Sequence, residues 1–232
     1  MKKIMLILSL FSLFSCSENV INDIIIEPQD KSISVLVIGN SITHSAPSGE
    51  WEGDWGMAAT SAEKDFCGVI KSSLELEGFK IDLDKKNIAV WERDFSCEIN
   101  ILMPPITKHY DYIIIKLGEN VPDNSETFEI EFEKLTRFYS NFGRKIILVT
   151  TVWRQYSFTE DGIPYEVPPM KDIIIRRVSI NNDYDIADIS DIKENQNYFA
   201  WYEYENTGIG SHPNDLGMEF IANKILQKIP TN

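Results

Sequence analysis

The chain has 232 residues, enough for one sizeable α/β domain, and its pattern gives no sign of a second. Hydrophobic residues make up 43% and charged residues 25%, a globular balance that excludes a disordered chain. Acidic residues number 36 against 22 basic, and a net charge of −14 repels polyanions, which excludes nucleic acid as a partner.

The chain opens on MKKIMLILSLFSLFSC, with Lys2 and Lys3, an apolar run from Ile4 to Phe14, and then Ser15-Cys16. That run is too short for a membrane-spanning helix, which needs about 20 residues, and it has the layout of a secretory signal. Leu13-Phe14-Ser15-Cys16 resembles a bacterial lipobox. The resemblance implies a signal peptide over 1–15, lipidation at Cys16, and an exported protein of the cell envelope that meets the membrane through its lipid alone. A plain signal peptide with an incidental cysteine is the competing reading. Removing 1–15 takes away Lys2 and Lys3 and no acid, so 20 basic residues face 36 acidic ones and the net charge becomes −16. Residues 16–32 read as a tether whose Ile24-Ile25-Ile26 is apolar enough to dock, and 33–232 as one folded domain. Cys67 and Cys97 read as unpaired core residues, although an exported protein allows them to pair. No Cys/His spacing points to a metal, and no repeat or low-complexity tract is present.

Continuous apolar runs at Val35–Ile38, Tyr112–Leu117 and Ile146–Val152 predict strands buried on both faces, as in a parallel sheet. FKIDLDKKNIAV alternates and predicts a strand nearer the edge, and YDIADIS a short last strand. Helices are predicted over Lys64–Glu77 before Gly78, Phe95–Met103 before Pro104-Pro105, Glu126–Phe142 before Gly143, Met170–Ile180, and Leu216–Lys228 capped by Asn214 or Asp215. The order alternates strand and helix, which predicts a three-layer αβα sandwich around a doubly wound, mostly parallel five-stranded sheet. Ligands in such folds bind beyond the carboxyl ends of the strands. Ser41 lies just there, after SVLVIGN.

Four segments follow strand ends: Gly39-Asn40-Ser41, NIAVWERDF at 87–95, Gly118-Glu119-Asn120, and GSHPNDLGM at 210–218. Together they resemble the four blocks of the SGNH/GDSL hydrolases, a family of esterases and acetylesterases. The resemblance spans 34–218 and implies a flavodoxin-like fold, Ser41 as nucleophile, Asn120 as a side-chain oxyanion donor and His212 as base. The residues agree with that chemistry. A serine needs a base that titrates near neutrality; His109 precedes a strand at the opposite end of the sheet, and His44 reads as an exposed loop residue, which leaves His212. An oxyanion hole would use the Ser41 N–H, the Asn120 amide and a second-block N–H.

Two positions depart from the family pattern. Aligning Asn87 with the second-block Asn puts Glu92 where the family has a Gly that donates its N–H. The family's catalytic Asp stands three residues before the His, and here that residue is Ile209. His212 is then oriented by a backbone carbonyl, giving a Ser-His dyad, or by a displaced carboxylate, Glu92 or Glu205. Trp51, Trp55, Trp91, Trp153 and Trp201 all lie on segments leaving strand ends, some of them as core and the rest lining an aromatic cleft; Trp55, Trp91, Trp153 and Arg154 are the candidate substrate contacts. The long segments 41–65 and 153–170 read as loops that shape that cleft. The expectation is a serine esterase removing acetyl or other small acyl groups from carbohydrate without metal or cofactor. A lysophospholipase- or thioesterase-type lipid esterase and a non-catalytic carbohydrate-binding relative are the alternatives.

Overall fold

A computed structural model describes residues 31–95, 106, 108–122 and 126–230. The segment expected as a signal peptide, Cys16, nearly all of the expected tether, Cys97, and the predicted helix beyond Phe95 lie outside the described residues. The sheet contains β1 (Ser32–Gly39), β2 (Lys80–Asn87), β3 (Tyr110–Lys116), β4 (Gly143–Val149) and β7 (Asp185–Ala187), all parallel, in the order β2-β1-β3-β4-β7. Helices α1 (Phe66–Leu76), α2 (Ala89–Asp94), α3 (Phe128–Ser140), α4 (Met170–Asn182), α5 (Thr207–Gly210) and α6 (Asp215–Leu226) complete the architecture. This is the αβα sandwich with a five-stranded parallel sheet.

The apolar runs explain the layers. Successive residues of a strand face opposite sides, and both sides here are covered. Val35, Val37, Ile114, Ile147 and Val149 pack with α1 and α6, through Ile70, Leu74, Ile221 and Ile225. Leu36, Ile38, Ile113, Ile115 and Leu148 pack with α2, α3 and α4, through Trp91, Phe132, Leu135 and Ile175. Cys67 is a buried free thiol on α1, where burial pushes its pKa well up. Asp65 caps α1 by accepting from the Gly68 N–H at 2.7 Å, and its other oxygen takes the Gly56 N–H at 3.0 Å and Lys85 Nζ at 2.6 Å. One carboxylate thus ties the long segment after β1 to both α1 and β2.

Two segments differ from expectation. The strand expected to run through Ile88-Ala89-Val90 ends at Asn87, whose Oδ1 accepts from the Ala89 N–H at 2.8 Å and turns the chain into α2. That helix stops at Phe95, in the left-handed region at φ 56°, the residue where a helix was expected to begin. The segment expected as a loop before α4 carries a two-stranded antiparallel hairpin, β5 (Gln155–Phe158) with β6 (Pro164–Val167). Gly162, at φ +77°, makes its turn.

Register places the site. Asn87 pairs with Gly39, Gly39 with Lys116, Lys116 with Val149, and Val149 with Ala187. These residues form one row across the sheet, so every segment that follows them emerges on the same rim. The chain reverses direction across the sheet between β1 and β3, which opens a crevice there.

Candidate active site

Ser41 enters this crevice from β1. A Cβ on Gly39 would lie 2.9 Å from the Lys116 carbonyl oxygen and would collide with the Thr43 side chain, so only glycine lets the chain turn here. Asn40 Oδ1 accepts from the Ile42 N–H at 3.1 Å, and the Asn40 carbonyl accepts from the N–H groups of Thr43 and His44 at 2.9 and 3.0 Å. The Ser41 carbonyl accepts from the Met57 N–H at 2.9 Å. The serine is therefore held by its own backbone, with its hydroxyl free to pair.

Its partner is His212. Ser41 Oγ lies 2.7 Å from His212 Nε2, and His212 Nδ1 lies 2.8 Å from the Gly208 carbonyl oxygen. A carbonyl only accepts, so Nδ1 carries the proton and Nε2 is the lone-pair nitrogen facing the hydroxyl. The short helix α5 builds this contact. Asn206 caps it by accepting from the Gly208 N–H at 2.9 Å, and the His212 N–H returns to the Ile209 carbonyl at 2.9 Å. The His212 carbonyl in turn accepts from the Ala200 N–H at 3.1 Å. Burial lowers the His212 pKa from its ordinary 6.5, against upward pulls from the Gly208 carbonyl and the Glu119 charge. Neither Glu92 nor Glu205 bonds the ring. Ile209 is 5% exposed and packs with Trp51, Ala58 and Ala200, so the position of the family's Asp belongs to a small apolar core.

The β3 side supplies Asn120, an exposed residue whose Nδ2 donates to Glu92 Oε2 at 2.6 Å. Glu92 Oε1 accepts from the Gly118 N–H at 2.5 Å and from Asn40 Nδ2 at 3.3 Å. Asn40 Nδ2 also donates to Glu119 Oε2 at 2.7 Å, and Glu119 Oε1 accepts from the Val152 N–H at 3.2 Å and pairs with Lys116 Nζ. Burial, then the Glu119 charge, pushes the Glu92 carboxyl above its ordinary value. Burial also works to raise Glu119, but the Lys116 ammonium outweighs it and holds that carboxyl below its ordinary value. Lys116 and Glu119 had no role in the sequence reading. The signal was present: a lysine inside the apolar run YIIIKL, 0% exposed here, needs an anion within reach, and Glu119 follows three residues later.

Other candidates fall differently. Glu92 reaches the site through its carboxyl group, and the α2 N–H bonded to the Ile88 carbonyl, at 2.9 Å, is that of Trp91. Trp91 is 1% exposed, with its ring 4.9 Å from that of Phe95 beneath α2, so it packs the core and cannot touch substrate. Trp55 is half-buried, with Nε1 on the Ala59 carbonyl at 2.8 Å and Trp51 edge-on at 5.8 Å. Trp153 is half-buried against the core on the α1 and α6 side. Arg154 pairs with Glu166 at 2.8 Å and with the Lys193 carbonyl, bracing the hairpin. Two exposed aromatics, Trp201, at 38%, and the fully exposed Tyr202, stand on the turn paired with the His212 backbone. Among the described residues, no group of three or more His, Cys, Asp or Glu side chains gathers as a metal site would need.

No protein-family model matches the chain, and no curated protein matches it. Solved structures do, and several of them are esterases. The chain superposes on a catalytic mutant of an acetylxylan esterase from Geobacillus stearothermophilus with TM-score 0.59, at 15% identity, over 87% of this chain and 95% of that one. It superposes on a protein from Slackia heliotrinireducens, provisionally described as an SGNH hydrolase, with TM-score 0.54, at 10% identity, over 86% and 100%. It also matches a two-domain esterase active on acetylated mannans, with TM-score 0.52 and 15% identity; 86% of this chain covers only 50% of that one. At these identities the likeness is one of fold.

Proposed function

We propose that the protein is a serine esterase that removes acetyl or other small acyl groups from carbohydrate. The observation that carries the reading is the pair of contacts on His212, Ser41 Oγ at 2.7 Å on one ring nitrogen and the Gly208 carbonyl at 2.8 Å on the other. Ser41 Oγ attacks the ester carbonyl as Nε2 takes its proton. The tetrahedral oxyanion is met by the Ser41 N–H and the Asn120 amide, and such donors are each worth about 10²–10³ in turnover. The imidazolium then returns its proton to the departing sugar hydroxyl, and water repeats the sequence on the acyl-serine. No step calls for a metal or an organic cofactor.

Carbohydrate as the acyl carrier is supported by the acetylated-glycan esterases among the similar folds and by the exposed Trp201 and Tyr202 beside the His212 segment. The lipobox-like Leu13–Cys16 segment supports tethering at the cell envelope. Ile209 in place of an Asp is what favours a non-catalytic, glycan-binding relative. The Gly208 carbonyl answers it, because it fixes the same tautomer that a carboxylate would.

The test is acetate release from a panel of acetylated glycans, with acetyl and long-chain nitrophenyl esters compared alongside. Ser41→Ala is expected to abolish release, and the acetyl ester to be preferred. Preference for the long chain would redirect the reading to a lipid esterase. Glycan binding with no turnover of any ester would leave only the binding role.

A further inference from the structure

The family's second block ends in a glycine, and this chain has there a glutamate whose side chain is sealed from solvent. Glu92 is 0% exposed and lies on α2, across the crevice from the loop after β3. Its carboxyl group accepts three N–H donors, and all come from segments that carry the proposed chemistry. Oε2 takes Asn120 Nδ2 at 2.6 Å, and Oε1 takes the Gly118 N–H at 2.5 Å and Asn40 Nδ2 at 3.3 Å. A buried carboxyl with this many donors is fixed in place.

We propose that Glu92 is a positioning residue that clamps the Asn120 carboxamide by one N–H and so aims its other N–H at the oxyanion. This rests on the esterase reading above and assigns Glu92 a role that neither a backbone donor nor a histidine orienter describes. Asn120 is itself exposed on the loop beyond β3, with Gly118 at φ +132°. Without a buried partner its amide would sample several rotamers, and misplacing a donor by an ångström costs transition-state stabilisation. Glu92 does not touch substrate. Its effect passes through Asn120, directly and by way of the Gly118 N–H that sets the loop on which Asn120 stands.

The second carboxylate explains how Glu92 is kept there. Lys116 is the cation at the centre of this cluster and is committed to Glu119, which with Glu92 shares the Asn40 amide. Asn40 thus joins the two carboxyl groups and links the clamp to the residue before Ser41. The nucleophile's turn and the amide's loop are fixed by one buried network.

The test uses Glu92→Gln, Asn120→Ala and the double variant, with acetyl ester turnover and Tm measured for each. Gln keeps the shape but sets an NH2 group against a donor, either Asn120 Nδ2 or the Gly118 N–H. Glu92→Gln is expected to lower kcat about 10–100-fold with KM within about 3-fold, and Asn120→Ala to lower it about 100-fold or more. In the Asn120→Ala background, Glu92→Gln should cost less than about 3-fold, because the group it acts through is gone. Multiplicative losses in the double variant would overturn the proposal, and so would an unchanged or faster Glu92→Gln enzyme. Should the wild type turn over no ester, the esterase reading fails by itself. The clamp is then read from the Asn120 side-chain amide resonances by NMR. A shift in Glu92→Gln supports it, and unmoved resonances reject it.

Discussion

Ile209→Asp places a carboxylate where the similar hydrolase family has its third catalytic group, and it separates two accounts of His212. If the Gly208 carbonyl orients the imidazole, the new carboxylate has no vacant ring nitrogen to meet. Ile209 is 5% exposed among Trp51, Ala58 and Ala200. Withdrawing its side chain from that cluster removes about 1.5–3 kcal/mol of burial. Leaving a protonated carboxyl there without a partner adds about 1–3 kcal/mol. The sum, about 2.5–6 kcal/mol, corresponds to a fall in Tm of about 5–24 °C for a chain of this size. Thermal unfolding by circular dichroism, with kcat/KM on an acetyl ester below the transition, measures both quantities. Lower Tm with kcat/KM unchanged or reduced is expected. A variant with wild-type Tm and kcat/KM raised tenfold would show that the ring had lacked its orienter, and the dyad argument would be wrong.

The His212 pKa is lowered by burial from 6.5, and the general base works only when neutral, so the acid limb of kcat/KM should lie below pH 6.5. The same shift makes the folded state bind its proton less readily than the unfolded chain, so stability falls as pH drops below 6.5 through the folded value. A limb centred above 6.5 in a pH–rate profile would contradict the buried, neutral ring. Lys116→Met leaves Glu119 buried without its cation and should cost about 3–5 kcal/mol in urea unfolding. Adding Glu119→Gln should recover a large part of that loss, and no recovery would mean that the two do not act as a pair.

The sheet was legible because its central strands are buried on both faces and must read as unbroken apolar runs, and because β2, at the edge, alternates. Helix α2 escaped because Ile88-Ala89-Val90 continued the alternation of β2, and because its stop is a non-glycine residue, Phe95, held in the left-handed region by tertiary packing. The hairpin β5–β6 escaped because Pro164 and Pro168 mark its second strand as a breaker, although antiparallel pairing of so short an edge needs few donors. At the site, the four-block resemblance named Ser41 and His212, whose side chains lie 2.7 Å apart, and it named Asn120 on the same rim. A backbone carbonyl was the first option for the orienter, but Gly208 could not be named as its source, since a main-chain carbonyl has no letter in the sequence. Trp91 was misread for the complementary reason: an aromatic beside a functional block carries no mark of which side of its helix is buried.

Gly208 provides its carbonyl as backbone, and this changes what mutation can reach. A catalytic aspartate is erased by one codon change, whereas every amino acid brings a carbonyl oxygen. Vulnerability then moves to the shape of the Asn206–His212 turn, where a Cβ at position 208 would lie 3.0 Å from the capping Asn206 oxygen, so change there would register as altered local conformation. Searches keyed to an acidic letter there would pass over such proteins even when their folded sites remained whole.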